Sequence, residues 1–289
     1  MSDKLKNFLV RTASGAVLLA VVLGAILWSK WSFGVLMLAI IIGGLREFYR
    51  LASKAGYQPQ KWMGYAAGTI IFVIAFGCML FMISDSAASD KMLLLTMILA
   101  LYIMLLLPMM FVCELYRKSA TPIANIGSTL MGLVYIAAPM SLFLFIPILL
   151  GEGEWNPLAA LFYIFIIWAN DVFAYLFGIT LGKHRLFERI SPKKSWEGFV
   201  GGLLGAMAMG YVASVVMGGN PIEWIGLALI AAISGVFGDL VESLFKRSVD
   251  VKDSGHILPG HGGWLDRFDA LILSVPFVFL YLILFAIAK

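Results

Sequence analysis

The chain of 289 residues is 61% hydrophobic and 13% charged, with a formal net charge of +4 and a mean hydropathy of +0.94. No water-soluble globular domain sustains that balance, so the solvent for most of the protein is lipid. A nucleic-acid partner would call for a basic soluble domain interleaved with aromatic residues, and the sequence contains none.

A helix needs about 20 apolar residues to cross a bilayer core. Nine uninterrupted apolar runs reach or approach that length, over approximately 12–29, 31–45, 64–83, 92–112, 128–149, 158–181, 199–218, 222–245 and 267–288. Backbone groups in lipid must bond within their own segment, and long runs without alternation suit helices rather than barrel strands. The predicted fold is therefore an all-α polytopic membrane protein with about nine transmembrane helices. The first run follows Lys4, Lys6 and Arg11, but no small-residue cleavage site closes it before Trp28, Lys30 and Trp31, so it is read as a retained span. The second is short, and is expected to be tilted, partly buried or re-entrant. Cys78 and Cys113 lack a CxxC spacing and read as small hydrophobes.

With the N-terminus in the cytoplasm, eighteen Lys and Arg residues fall on that face: three before the first span, four in 46–63, two in 113–127, five in 182–198 and four in 246–267. The opposite face holds only Lys30, Lys91 and Lys289. That asymmetry follows the positive-inside rule, and a missed span would spoil it. The cations then lie beside anionic headgroups, which accounts for the net charge. Segments 84–91, 150–157 and 218–221 read as solvated outer turns. No linker, repeat or shift of composition divides the chain, so 1–289 is predicted to be a single membrane domain. The first 150 residues keep their polar groups mainly in loops, whereas 170–269 places carboxylates within or at the ends of spans. The catalytic part is accordingly sought at about 158–289, with cytoplasmic loops 182–198 and 246–267.

Within the sixth run, IIWANDVFAYLFG carries Asn170 and Asp171, with Tyr175 one turn on. Such a polar pair is either a hydrogen-bonding device between helices or part of a site. The following loop, GKHRLFERISPKKSWEGF, places Lys193 and Lys194 beside the helix breakers Ser191 and Pro192. Ser195, Glu197 and Gly198 ahead of the seventh run read as a helix start, which would aim backbone N–H groups at a phosphate held by Lys194. No Walker-type glycine loop precedes these lysines.

The eighth run, IEWIGLALIAAISGVFGDLVESLFKR, sets Asp239, Glu242, Ser243 and Lys246 at i, i+3, i+4 and i+7 on one helical face. An unpaired carboxylate at that depth costs a few kcal/mol and points to function; the plainer alternative is a salt bridge from Asp239 or Glu242 to Lys246. Beyond it, KRSVDVKDSGHILPGHGGWLDRFDA is too dense in polar groups for an ordinary linker. Asp253, Asp266 and Asp269 are hard oxygen ligands of the kind Mg²⁺ takes. Gly255, Gly260, Gly262 and Gly263 offer backbone N–H groups for an anion nest, and Lys246, Arg247, Lys252 and Arg267 supply positive charge for a polyphosphate. Metal, nest and basic clamp together are the equipment of phosphoryl or nucleotidyl transfer. His256 and His261, without cysteines or an HExxH spacing, are weak evidence for zinc.

The sequence resembles the phosphatidate cytidylyltransferase family, the CDP-diacylglycerol synthases. The resemblance rests on Ser243, Lys246-Arg247, Lys252-Asp253, Gly255, Leu258-Pro259, His261-Gly262-Gly263 and Asp266-Arg267-Phe268-Asp269, in the order and spacing of the family signature. SPKKSWEG at 191–198, the Asn170-Asp171 pair and the number of spans agree; Trp264 departs, standing where an aliphatic residue is usual. The resemblance implies conversion of CTP and phosphatidate to CDP-diacylglycerol and pyrophosphate with Mg²⁺, its ligands falling on Asp239, Ser243 and Asp266, and leaves room for a second, monovalent cation such as K⁺. Lys194 and Asp171 join those three as catalytic candidates. Lys193, Lys246, Arg247, Lys252, His261, Gly262, Gly263, Arg267 and Asp269 are assigned to binding the substrate phosphates. The partners implied are CTP, phosphatidate and the bilayer, with no nucleic acid and with a homodimer left open. The expected location is a bacterial inner (cell) membrane with the site facing the cytoplasm. Two other function classes compete: an ion-coupled transporter using Asp171 and Asp239, and a non-catalytic lipid-binding protein using the basic loops.

Overall fold

A computed structural model describes residues 3–84, 89–255 and 262–288. Nine helices are present among the described residues: α1 Asp3–Trp28, α2 Lys30–Lys54, α3 Lys61–Ser84, α4 Ser89–Arg117, α5 Pro122–Leu149, α6 Pro157–Leu181, α7 Trp196–Met217, α8 Pro221–Arg247 and α9 Leu265–Ala288. Eight are long and apolar enough to cross a membrane; α1 contributes a shorter apolar stretch, Thr12–Trp28. The protein is thus a multi-pass, essentially all-helical membrane protein. The second run is not a short or re-entrant element: α2 is a full helix of 25 residues with most of its length buried. Apolar content under-measured it because its C-terminal end, LREFYRLASK, is polar in sequence and still helical.

Helix boundaries have local causes. Ser29 and Ser32 close a capping box that starts α2, with reciprocal bonds of 3.1 and 3.0 Å. Asn156 before Pro157 and Asn220 before Pro221 cap α6 and α8, with proline at the first helical position where its missing N–H costs nothing. Gly218, at φ 68°, ends α7 in the left-handed conformation. A π-helical turn at Leu133–Ala137 interrupts α5.

Helices α6, α7, α8 and α9 pack as consecutive neighbours, and α2, α3 and α5 form the other side of the core. The α6–α7 contact is close because α7 offers glycine: a Cβ on Gly201 would collide with Phe177, and one on Gly205 with Phe173. Cys78 is buried and Cys113 half-buried, both as free thiols.

Loop 182–198 is more ordered than its sequence indicates. Strands β1 Arg185–Phe187 and β2 Ser191–Ser195 form an antiparallel hairpin, Arg185 opposite Ser195 and Phe187 opposite Ser191. Glu197 fastens it at the base, accepting from the backbone of Lys183 and His184 and meeting His184 Nδ1 at 2.6 Å. Ser195 does begin α7, accepting from Gly198 N at 3.1 Å.

Candidate active site

The face predicted for α8 exists, but its residues have different partners. Lys246 pairs with Glu242 on its own helix and with Asp266 Oδ1 on α9 at 2.7 Å. Asp239 pairs instead with Lys194 Nζ of the hairpin, at 2.6 Å. Ser243 Oγ lies 3.3 Å from Asp239 Oδ1, one turn away. One of the two foreseen helix-internal salt bridges therefore forms, while Asp239 reaches a separate element.

α8 and α9 approach closely at Gly238, where a Cβ would meet Ala270 Cα at 3.0 Å and the backbone of Asp269. That contact brings Asp269 to Asp239. Asp239, Glu242 and Asp269 each direct one carboxylate oxygen so that the three lie within 4.8 Å of one another, a group able to hold a metal ion. With Asp266 there are four carboxylates, paired with two ammonium groups, Lys194 and Lys246. Fully ionised, the cluster keeps an excess of two negative charges, which suits a divalent cation with hard oxygen preference.

Asp266 has a further part. Its Oδ2 accepts from Ser254 N at 2.9 Å and Gly263 N at 2.8 Å, and lies 2.9 Å from Ser254 Oγ. The Gly263 amide is thus committed within the protein, and the amides of Trp264 and Leu265 bond to Glu47 of α2 at 3.0 Å each. An open anion nest at this part of the glycine-rich turn is not what the structure shows; Gly262, at φ 78°, provides the left-handed bend instead.

Two cavities of about 500 Å³ each flank the cluster. The first lies between α6, the hairpin, α7 and α8, with Asn170, Arg185, Lys193, Lys194 and Asp239 on its walls. The second lies between α1, α6 and α9; Leu18, Leu19, Val22 and Ile164 make it largely apolar, and Asp269 and Arg267 close one end. Asp171 lines both. Asn170 is 2% exposed, and its Oδ1 has no hydrogen-bond partner among the described residues. A larger groove, about 890 Å³ around Tyr57, Trp62 and Tyr116, belongs to the α2–α4 side and touches none of these residues.

The structure thus gathers Asp239, Ser243, Lys246, Asp266, Asp269, Lys194 and Asp171. Lys193 is exposed on β2 beside them. Arg247 and Lys252 are exposed to one side, with Arg247 Nη1 donating to Val251 O at 3.3 Å. His261, like His256 and Gly260, lies outside the described residues. Sequence reasoning missed Glu47, Ser254 and Arg185. Only Glu47 had a readable signal: an acidic residue in the basic segment LREFYR, where cations alone were counted.

Comparison with known proteins identifies the family. The model of the cytidylyltransferase family matches residues 9–285. A phosphatidate cytidylyltransferase of Bacillus subtilis is 48% identical over 124 residues, 42% of this chain and 46% of the relative. One of Staphylococcus saprophyticus is 46% identical over 125 residues, 43% of this chain and 48% of the relative. The chain spans about half the length of those two. A phosphatidate cytidylyltransferase of Rickettsia bellii is 37% identical over 164 residues, 54% of this chain and 69% of the relative. None of these likenesses supports an ion-coupled transporter.

Proposed function

Because the chain belongs to the cytidylyltransferase family, we propose that it transfers the cytidylyl group of CTP to phosphatidate, forming CDP-diacylglycerol and releasing pyrophosphate. The observation that carries this reading is the position of Asp171, Asp239 and Asp269 between a cavity bearing three cations and a cavity that is apolar along α1 and charged at its other end. A triphosphate needs the first and acyl chains need the second. A phosphate oxygen of the lipid attacks the α-phosphorus of CTP, and the bond from that phosphorus to the oxygen bridging the β-phosphate breaks.

Lys194, Lys193 and Arg185 neutralise phosphate charge in the first cavity, and Lys194, held by Asp239, orients the chain of phosphates for in-line attack. Lys246, Arg247, Lys252, His261, Gly262 and Arg267 remain assigned to the phosphates on the glycine-rich side, whereas Gly263, its amide bonded to Asp266, loses that role. Lipid phosphate is already largely ionised near neutral pH, since a phosphate monoester loses its second proton near pH 6, so no strong general base is required. Asp171 assists by orienting groups at the junction of the cavities.

The metal set implied by the resemblance, Asp239, Ser243 and Asp266, is carried forward and widened by Glu242 and Asp269, whose oxygens gather at Asp239. Asp266 Oδ1, held by Lys246, is the oxygen free to turn to an ion once Lys246 turns to a phosphate. Bound there, Mg²⁺ supplies Lewis-acid stabilisation of the leaving pyrophosphate. K⁺ as a second cation rests on the resemblance alone. The bias of Lys and Arg to one face supports a cytoplasmic N-terminus and a cytoplasm-facing site, and the bacterial relatives support the inner membrane. Helices α6 to α9, about 158–289, form the catalytic part of a single domain.

Purified protein in detergent, given α-labelled CTP, phosphatidate and Mg²⁺, should yield labelled CDP-diacylglycerol and unlabelled pyrophosphate. Absence of that product from folded wild-type protein would overturn the assignment.

A further inference from the structure

α9 begins at the bottom of the site, and Asp266 and Asp269 sit in its first turns. What holds that helix start comes from the other end of the chain. Glu47, on α2, is 4% exposed. Its Oε1 accepts from Trp264 N at 3.0 Å; its Oε2 accepts from Leu265 N at 3.0 Å and from Ser254 Oγ at 2.8 Å. Arg50, one turn further along α2, donates to Ser254 O. Two residues on one face of α2 therefore bind both ends of the segment between Ser254 and Leu265.

The first N–H groups of a helix have no intrahelical acceptor, and the positive end of the helix dipole favours an anion there. Glu47 meets both needs across 217 residues of sequence. Space for it is provided by glycine, since a Cβ on Gly255 or Gly263 would run into its carboxylate. Ser254 Oγ lies between Glu47 Oε2 and Asp266 Oδ2, at 2.8 and 2.9 Å, so the tether ends directly on a residue of the site.

We propose that Glu47 is a positioning residue: by fixing the N-terminus of α9, it sets where Asp266 and Asp269 stand relative to Asp239. It touches neither substrate. The inference rests on the cytidylyl-transfer reading for its kinetic arm only.

Two substitutions test it in the full-length protein. Glu47→Gln keeps the shape but turns an amide NH₂ toward backbone N–H groups that need an acceptor, whereas Glu47→Asp keeps the charge on a shorter stem. For Glu47→Gln, kcat should fall about 10–100-fold, as for other residues that orient a ligand from behind, with KM for CTP and phosphatidate changed less than about threefold, because both substrates contact other residues. Glu47→Asp should recover part of kcat. Hydrogen exchange read by peptide should quicken at 264–268 in Glu47→Gln and stay unchanged across α6 and α7. Unchanged exchange at 264–268, or an unchanged kcat per folded molecule, overturns the proposal. If Glu47→Gln does not fold, Ser254→Ala, which removes one of the three bonds, should give the same pattern with a smaller loss, and a wild-type kcat and exchange there overturn it equally. A wild type without CDP-lipid product would sink the cytidylyl-transfer reading and leave the exchange result to judge the tether.

Discussion

Among the described residues, the buried acid Glu114 and the acidic cluster around Asp239 are built on opposite principles. Glu114, 4% exposed on α4, is surrounded by donors: Gln60 Nε2 at 2.7 Å, Asn125 Nδ2 at 2.7 Å and Arg117 Nη1 at 2.8 Å. One charge has three donors, from α4, from α5 and from Gln60 just before α3, and the result is a tie between these segments. Around Asp239 the ratio is reversed, with four carboxylates paired with two lysines. Like charges brought together with fewer cations than carboxylates oppose folding and favour a bound cation. The carboxylate of Glu114 is neutralised where it stands; the group around Asp239 is crowded and under-neutralised.

The contrast can be broken first at its acidic end. Asp269→Asn, or Asp239→Asn, should lower cytidylyl transfer by about 10²–10³-fold, the loss typical of removing one charge-stabilising group, while thermal unfolding in detergent shows equal or greater stability because repulsion is relieved. A variant that loses activity only in step with unfolding would place these residues with Glu114 instead. Metal removal is the next test. Chelation should abolish turnover, and Mg²⁺ at about 100 times its Kd should stabilise the folded wild type by about 2.7 kcal/mol. Asp239→Asn should show little of that stabilisation; equal stabilisation in both would locate the ion elsewhere. In the apolar cavity, Leu19→Trp should raise KM for phosphatidate about tenfold, on the scale of 1.4 kcal/mol per decade, and leave KM for CTP alone. A rise in KM for CTP would reverse the assignment of the cavities. The smallest kinetic effect belongs to Glu114→Gln: kcat within about twofold of wild type, with about 1–3 kcal/mol of stability lost through weakened buried hydrogen bonds.

Much of this architecture is readable from the chain because membrane insertion is decided by local composition. The runs at 64–83, 92–112, 158–181 and 199–218 correspond closely to α3, α4, α6 and α7, since about 20 apolar residues form a helix in lipid whatever their neighbours. The face of α8 was equally legible: helical period alone aligns Asp239, Glu242, Ser243 and Lys246. The polar end of α2 was not, because its helicity depends on burial against α5 and α9 rather than on hydropathy. Nor was the hairpin holding Lys194, whose pairing is fixed by Glu197 and His184 at its base.

The sequence by itself determined that the protein is helical and membrane-embedded, and which segment bears the polar cluster. Those properties depend on residues close together in the chain. Only the tertiary structure decided the partners: Lys194 rather than Lys246 for Asp239, Asp269 beside Asp239 through the gap at Gly238, and Glu47 beneath the start of α9. These depend on how helices far apart in sequence pack, through close approaches that no local pattern encodes. The segment from Asp239 to Asp269 holds the acids, but residues from α2 and the hairpin determine how they are arranged.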